Sequence, residues 1–124
     1  LTNIFFEDNS QYCVSCMHTI EHIGLGRYGD PIDPNADIKA INELKRIIKP
    51  DGHLLIVVPI GKPKIMFNAH RIYSYEMIIN LMNGFNLKEF SMVYDNQDFK
   101  TNANPKDVEN QNYGCGCFWF IKNN

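Results

Sequence analysis

Apolar residues cluster in short runs along the chain, and four of these runs have the length and composition of β-strands. Residues 12–17, 53–58 and 85–94 are rich in apolar, β-branched or aromatic side chains. The first run alternates little between apolar and polar positions, which predicts a strand buried on both faces, as in a parallel sheet. Residues 115–121 alternate, so their Cys and Trp side chains are expected on one face and their Phe side chains on the other.

Helical periodicity is present in two segments between these runs. Across residues 37–49, apolar side chains recur at helical spacing, with Lys, Asn, Glu and Arg on the other faces. Asp37 favours the start of this helix and Pro50 its end. Ser74 is expected to cap a second helix that Gly84 closes. A strand, a helix and a strand with short connections predict a right-handed parallel unit, and hence an α/β fold.

Three further segments have neither periodicity and are predicted to be loops. Residues 19–34 contain three glycines and two prolines, so the chain must turn repeatedly there. Residues 59–73 form a second long loop after the apolar run that precedes them. Residues 95–113 are almost wholly polar, and we expect this loop to be mobile.

Composition and charge exclude several classes of protein. The 124 residues suit one domain, and 44% of them are hydrophobic, which is too many for a disordered chain. Twelve basic and 14 acidic side chains give a net charge of −2, so charge provides no reason to expect nucleic acid or an acidic membrane surface as a partner. No apolar run approaches the ~18 residues of a membrane-spanning helix.

The cysteines are interpreted as reduced thiols in a cytoplasmic protein. Four cysteines in a chain of this length are too few for the disulfide scaffold of a small secreted domain. Cys13 and Cys16 point to opposite faces of a strand, so they cannot bind one metal ion without a bulge. A redox Cys-x-x-Cys pair needs a helix N-terminus, and no helix is predicted to start there. We therefore predict that the cysteines, with Cys115 and Cys117 at the far end of the chain, are small core residues.

The first loop contains a dinucleotide-like motif outside its usual context. Residues 24–29 spell G-x-G-x-x-G. A dinucleotide site needs a strand that ends at the first glycine and a helix that opens at the third. Here residues 19–23 separate the strand from the motif, and Asp30 and Pro31 follow it. The segment is predicted to be a turn-rich loop.

A second motif in the same region has metal-protease spacing. Residues 18–22 spell H-x-x-E-H, a pattern that binds zinc when both imidazoles project from one stable helix. The strand before His18 and the glycines after residue 23 leave room for one helical turn at most. A metal-dependent hydrolase using His18, Glu21 and His22 remains an alternative, but no metal site is assigned.

Basic and aromatic side chains on the two long loops form a candidate pocket for a substrate. These loops follow the carboxyl ends of the first two strands, which is the edge where open α/β sheets bind ligands. Solvated loop charges are the alternative interpretation. The residues concerned are Arg27, Tyr28, Lys62, Lys64, His70 and Arg71.

Several segments together resemble the class I S-adenosylmethionine-dependent methyltransferases. The match consists of residues 6–10, the strand after them, residues 18–23, and residues 43–59 with the turn Lys-Pro-Asp-Gly. More narrowly, residues 21–34, 67–71 and 113–118 are similar to the signature of the domain of unknown function 268 family. This resemblance extends over nearly the whole chain.

The resemblance implies a Rossmann-like sheet in the order 3-2-1-4-5-7-6 with an antiparallel seventh strand. The chain would supply strands 4, 5 and 6, mostly parallel, together with the antiparallel last strand. Residues 1–124 would then be the C-terminal half of a methyltransferase-like domain. The glycine-rich cofactor loop and the acids that hold the ribose and adenine are expected before Leu1, in an N-terminal half that partners this chain.

The resemblance also implies S-adenosylmethionine as the cofactor and a small or saccharide-like molecule as the methyl acceptor. His18, Thr19 and Glu21 would lie beside the methionine end of the cofactor. His22 is the expected base, oriented by Glu21. The expected acceptor-binding residues are Arg27, Tyr28, His70 and Arg71. The main alternative is a non-catalytic remnant of the same fold that binds another protein.

Overall fold

A computed structural model describes residues 1–66 and 68–124 of the chain. The two α-helices are α1 (Ala36–Ile47) and α2 (Tyr75–Leu81), and single 3-10 segments occupy Ile20–His22 and Pro105–Asn110. The strands are β1 (Gln11–Met17), β2 (Ile48–Ile60), β3 (Lys64–Met66), β4 (His70–Ile72), β5 (Phe85–Val93), β6 (Phe99–Lys100) and β7 (Gly114–Lys122).

Five strands form one mixed sheet in the order β1-β2-β7-β5-β6. Only the β1–β2 pairing is parallel; β2–β7, β7–β5 and β5–β6 are antiparallel. The order β1-β2-β7-β5 is the expected order 4-5-7-6 with an antiparallel last strand, but the sheet is mixed and most of its strand pairings are antiparallel. The strands β2 and β5 run in the same direction. Because β7 lies between them and runs the opposite way, two antiparallel pairings take the place of one parallel pairing.

The first strand is less buried than its sequence predicts. Within β1, all of which is described, only Cys16 is buried, while Tyr12, Cys13 and Met17 are exposed. β1 lies at the edge of the sheet and pairs with β2 on one side. An apolar sequence indicates that a strand is suited to burial, not that it is buried. Among the described residues, one edge of β1 has no neighbouring strand.

The first helix ends earlier than predicted, and the chain passes directly into β2. Ile48 already pairs with Gln11 of β1, and the next pair joins His53 to Cys13. Residues 49–52 are accommodated within this irregular register, and Asp51 has a φ of 65°. The predicted turn is therefore present as an interruption inside β2. In α2, the Ser74 hydroxyl accepts a hydrogen bond from the backbone N–H of Met77, as a helix cap should.

One hydrophobic core joins the sheet to both helices. The alternation predicted for β7 is confirmed, because Phe118 and Phe120 are buried while Cys117 and Trp119 are only half-buried. The rings of Phe118 and Phe120 stack with centroids 5.9 Å apart. The same core contains Ile41 and Leu44 of α1, Leu54, Ile56 and Val58 of β2, Ile78 of α2, and Phe90 and Met92 of β5.

The second predicted loop contains a hairpin that the sequence did not indicate. β3 and β4 pair in antiparallel register across a short turn, with Asn68 at a φ of 62°. Strands of three residues are too short to produce a recognisable period. Residue 67, which belongs to one of the family-like motifs, lies outside the described residues. Among the described helices, none has the length and apolar content needed to cross a membrane.

The polar segment 95–113 contains local structure. It includes β6 and the 3-10 segment Pro105–Asn110, and Ala103 and Val108 are buried in the core. The hydroxyl of Tyr94 donates a 2.5 Å hydrogen bond to Asp107. These contacts connect the segment to β5, while the mobility expected for it remains a prediction.

Candidate functional site

The H-x-x-E-H motif lies at the carboxyl end of β1, where the chain leaves the sheet. The backbone N–H of His18 still bonds to the carbonyl of Val57 on β2, and His18 then adopts a φ of 51°. This left-handed residue turns the chain away from the strand. Residues 20–22 form a single 3-10 turn, so the limit of one helical turn is confirmed. The Thr19 hydroxyl donates to the carbonyl of Met17.

A buried carboxylate lies between two imidazoles at this turn. Glu21 is 1% exposed, and its Oε2 atom lies 3.3 Å from Nδ1 of His18 and 3.7 Å from Nε2 of His22. Its Oε1 atom is buried without a hydrogen-bond partner among the described residues. Burial of a carboxylate is costly unless cationic or hydrogen-bonding groups compensate it. The imidazole nitrogens of His18 and His22 are the polar groups that face this carboxylate.

The ring of His22 has a defined orientation. Its Nδ1 atom lies 2.6 Å from the carbonyl oxygen of Ala69. A carbonyl can only accept, so Nδ1 carries the hydrogen, and Nε2 is left facing Glu21. Arg27 Nη1 lies 3.3 Å from the same Nδ1, but two donors cannot bond to each other. The Arg27 contact is therefore one of proximity.

Aromatic side chains surround His22. Its ring centroid lies 6.1 Å from that of Tyr28 and 6.3 Å from that of His70, both in edge-to-face geometry. The Tyr113 ring lies 5.1 Å from His70, and the guanidinium of Arg27 lies 5.4 Å from the centre of the Tyr28 ring. The structure thus brings three of the four residues predicted to bind the acceptor close to His22. Tyr113 was not predicted, although it begins the family-like motif at residues 113–118.

Arg71, the fourth predicted acceptor residue, is buried and has protein partners. It is 4% exposed, and its guanidinium donates hydrogen bonds to the carbonyls of Ile20, Ile23 and Pro34. Its Nε atom lies 3.6 Å from Oδ2 of Asp37. These contacts favour a structural role for Arg71, in which it holds the loop of residues 19–34 in place, rather than a role in substrate binding. His70 and Arg71 differ because adjacent strand residues point to opposite faces.

Tyr73 also contacts Asp37, the buried carboxylate beside Arg71. Its hydroxyl donates a 2.8 Å hydrogen bond to Oδ2 of Asp37. Burial and the neighbouring carboxylate raise the pKa of Tyr73 far above its ordinary value, so the phenol stays protonated and remains a donor. The other oxygen of Asp37 is buried without a hydrogen-bond partner in the described part of the chain.

The glycine motif forms a closed turn, as the sequence predicts. Gly24, Gly26 and Gly29 all have φ values between 74° and 81°. The Asp30 carboxylate accepts a 2.7 Å hydrogen bond from the N–H of Gly24, and this bond lowers the pKa of Asp30. The next α-helix, α1, begins only at Ala36, so no helix opens at the third glycine of the motif, Gly29.

Alanine substitutions at two of these glycines should differ in their cost. A Cβ at Gly24 would lie 2.2 Å from the carbonyl oxygen of Asp33 and 2.6 Å from Cβ of Ala36, whereas a Cβ at Gly29 meets no atom within 4 Å. Both substitutions incur the left-handed strain of about 1–2 kcal/mol. Overpacking should make Gly24→Ala about 1–3 kcal/mol more destabilising than Gly29→Ala in urea denaturation. Equal losses would mean that the loop relaxes freely around residue 24.

A cysteine of β7 also reaches this site. Cys115 Sγ lies 3.7 Å from Nε2 of His18, and Cys117 is half-buried two residues along the strand. The expectation that the cysteines are core residues holds only for Cys16, which is buried; Cys13 is exposed. The sequence signal that could have placed Cys115 at the site is its position at the start of a strand antiparallel to β2. The start of such a strand lies at the carboxyl edge of β1 and β2.

The structure gives no support to the metal-hydrolase alternative. In residues 1–66 and 68–124, no group of three or more His, Cys, Asp or Glu side chains is arranged to hold a metal ion. His18 and His22 approach the same oxygen of Glu21. Their arrangement is that of a carboxylate–imidazole cluster.

Sequence comparison decides the family. The profile of the family described as "Caenorhabditis protein of unknown function, DUF268" matches residues 5–113. The chain belongs to the DUF268 family. The DUF268 chain is also 30% identical over 95 residues to an uncharacterized protein of Methanocaldococcus jannaschii, in an alignment that covers 73% of this chain and 35% of that protein. The chain thus spans about a third of the curated relative it matches.

Solved structures similar to the DUF268 chain have the class I methyltransferase fold. A candidate methyltransferase from Bacillus halodurans matches with a TM-score of 0.66 and 13% identity, over 99% of this chain and 69% of that one. A SAM-dependent methyltransferase from Thermotoga maritima gives 0.59 and 18%, over 98% and 60%. The cyclase SpnF gives 0.66 and 14%, over 98% and 53%. Since one of these proteins is named as a cyclase, the shared fold does not by itself specify the reaction.

Proposed function

We propose that the chain is the part of a methyltransferase that carries its acid–base and acceptor-binding residues, with S-adenosylmethionine as the methyl donor. The observation that carries this proposal is the buried Glu21 carboxylate between His18 and His22, at the carboxyl edge of a methyltransferase-like sheet. Ligands of open α/β sheets bind at this edge. When bound, S-adenosylmethionine supplies an electrophilic methyl group on a sulfonium centre.

The residues at this edge fit a cationic ligand. Glu21 has one buried carboxylate oxygen without a hydrogen-bond partner among the described residues. A negative charge in such surroundings stabilises a nearby ammonium or sulfonium group, because desolvation strengthens the attraction. The His18 side chain beside the carboxylate is 54% exposed, so His18 alone separates the carboxylate from solvent on that side. In the proposal, His18, Thr19 and Glu21 adjoin the methionine end of the cofactor.

His22 is the proposed base for the acceptor. Its Nδ1–H is engaged by the carbonyl of Ala69, which holds the ring in one orientation and leaves Nε2 to receive a proton. Glu21 Oε2, 3.7 Å from Nε2, would stabilise the imidazolium that results. This division of roles, in which one group takes the proton and a carboxylate orients it, is common to many acid–base sites.

Arg27, Tyr28 and His70 are the proposed acceptor-binding residues. Tyr28 is exposed, and its ring, together with those of His22 and His70, presents both aromatic faces and polar edges. Apolar faces combined with hydrogen-bonding groups suit a small or saccharide-like acceptor. Arg27 adds a positive charge at the exposed side of this cluster.

We also propose that a segment before Leu1 supplies the glycine-rich cofactor loop and a strand beside β1. Three observations support this idea. The exposed side chains of β1 are those of a strand suited to burial, with Tyr12 and Met17 the largest. The chain spans 35% of the M. jannaschii relative, and it spans between 53% and 69% of the similar solved structures.

Calorimetric titration of S-adenosylmethionine into the longest polypeptide that carries this chain tests the proposal. We expect one binding site, and we expect Glu21→Gln to weaken it about tenfold or more, because a charged partner of the cationic ligand is lost. Glu7→Gln is the matched control, since Glu7 is exposed and precedes the amino end of β1, at the opposite edge of the sheet. A folded polypeptide that does not bind S-adenosylmethionine would reject the proposal and favour a protein-binding module.

A further inference from the structure

The thiol of Cys115 lies at the carboxyl edge of the sheet, next to an imidazole that a buried carboxylate orients. Its Sγ atom lies 3.7 Å from Nε2 of His18, and Nδ1 of the same ring lies 3.3 Å from Oε2 of Glu21. A carboxylate only accepts hydrogen bonds, so His18 carries its hydrogen on Nδ1 and presents the lone pair of Nε2 to the thiol. A nucleophile, a base and an orienting carboxylate therefore adjoin one another in that order.

The Glu21 carboxylate can stabilise a positive charge on His18. Glu21 is 1% exposed, and its Oε1 atom has no hydrogen-bond partner among the described residues. Burial of a carboxylate is compensated best by a neighbouring cation. If His18 accepts the proton of Cys115, the imidazolium that forms lies beside this carboxylate, and the new charge is paired as soon as it appears.

The Cys115 thiol needs a base of this kind. A hydrogen bond with the Cys117 side chain and partial burial raise the pKa of Cys115, so the thiol is protonated at neutral pH. Its register partners on the two flanking strands are Pro59 and Val93, whose side chains accept no proton. His18 is therefore the group placed to receive the proton when the sulfur attacks.

Three features of the site select the class of electrophile. Cys115 is half-buried, so a small molecule reaches it more readily than a large one. The buried Glu21 carboxylate disfavours an anion. His18 holds the proton next to the reacting sulfur and can return it, which suits an addition reaction without a leaving group. A small, uncharged α,β-unsaturated carbonyl compound meets all three conditions.

We propose that Cys115 is an activated thiol that adds to small, uncharged α,β-unsaturated carbonyl compounds, with His18 as its base. Nε2 of His18 takes the thiol proton while the sulfur forms a bond to the β-carbon of the electrophile. The π bond between the α- and β-carbons breaks, and its electron pair moves toward the α-carbon and the carbonyl. The proton then passes from His18 to the α-carbon. The product is a thioether at Cys115, and His18 is neutral again.

Two other cysteines serve as references within the same protein. Cys13 is exposed, and in the described part of the chain no hydrogen bond joins its thiol to an imidazole. Cys16 is buried, and burial raises its pKa, so it should stay unmodified as long as the protein is folded. Exposure alone would make Cys13 more reactive than Cys115, whereas activation by His18 predicts the opposite order.

Treatment with acrylamide at neutral pH tests this order in the longest polypeptide that carries this chain. Peptide mapping with fragmentation separates adducts of Cys115 from those of Cys117. We expect Cys115 to gain one acrylamide at least about tenfold faster than Cys13. Faster modification of Cys13 or of Cys117 than of Cys115 would overturn the proposal.

The variant His18→Asn tests the base. Residue 18 has a φ of 51°, a conformation that asparagine tolerates well, and the asparagine amide is not a base. We expect the rate at Cys115 to fall at least about tenfold, with the rate at Cys13 unchanged and Cys16 still unmodified. His53→Gln removes an imidazole that bonds to a tryptophan away from this edge, and it should leave the rate at Cys115 unchanged.

Equal rates at Cys115 with and without the His18 imidazole would also overturn the proposal. The acrylamide reaction does not involve S-adenosylmethionine, so its outcome is independent of the methyltransferase proposal.

Discussion

Replacement of Arg71 by methionine is expected to lower the free energy of unfolding by about 3–5 kcal/mol. The Arg71 guanidinium is 4% exposed and lies 3.6 Å from the Asp37 carboxylate, which is also buried. Methionine replaces the aliphatic part of the arginine side chain but not its guanidinium, so it leaves the Asp37 charge without its cationic partner. The cost is that of an uncompensated buried charge, which generally exceeds the net value of the intact pair.

The same substitution removes the donors that connect three parts of the fold. Arg71 belongs to β4, and its hydrogen bonds reach the carbonyls of Ile20, Ile23 and Pro34 in the first long loop. Asp37 lies in the first turn of α1. Loss of Arg71 should therefore loosen the 3-10 turn that carries Glu21 and His22, in addition to lowering global stability. Urea denaturation followed by circular dichroism measures the global effect.

Two controls separate the charge from the packing. Arg27→Met removes an exposed arginine from the first long loop and should change stability by no more than about 0.5 kcal/mol. The double variant Arg71→Met with Asp37→Asn removes both charges and should recover part of the loss, because no buried ion remains unpaired. Equal stability of the Arg71→Met and Arg27→Met proteins would show that the buried pair contributes nothing.

The elements that sequence reasoning identified are those whose pattern depends on local neighbours. The alternation along β7 and the Ser74 cap are properties of a single strand or helix end, and both agree with the structure. Strand order is a long-range property, and the order found here was expected only from the family resemblance, not from the pattern of the strands themselves. β7 inserts between β2 and β5 from the far end of the chain, and no local pattern indicates where a strand will insert.

The candidate site was predicted in part for the same reason. His18, Glu21 and His22 are close in sequence, so their contact follows from one turn of chain. Cys115 is 97 residues from His18, and only the position of β7 brings them together. Arg71 was expected to face a ligand because it lies on a loop at the carboxyl edge of the sheet, but it belongs to β4, where it points away from the side that His70 faces. The short hairpin that determines this alternation has no sequence period of its own.

Replacement of His22 by alanine is expected to reduce methyl transfer about 10²–10⁴-fold in the polypeptide that binds S-adenosylmethionine. Alanine cannot accept the proton of the acceptor nucleophile, and it also leaves the carbonyl of Ala69 without its donor. Because the proposed contacts to the cofactor come from His18, Thr19 and Glu21, the dissociation constant for S-adenosylmethionine should change little. Transfer of a radiolabelled methyl group and calorimetric titration measure the two quantities.

The variant His22→Gln distinguishes catalysis from folding. Glutamine offers an amide N–H to the Ala69 carbonyl, so the loop keeps its hydrogen bond, but the side chain is not a base at neutral pH. A comparable loss of transfer in both variants would assign the effect to proton acceptance, whereas recovery in His22→Gln would assign it to loop geometry. His53→Gln is the matched control, because His53 bonds to Trp119 near the start of the parallel stretch of β2, away from the carboxyl edge. Unchanged turnover in His22→Ala would remove His22 from the mechanism and leave His18 as the remaining imidazole beside Glu21.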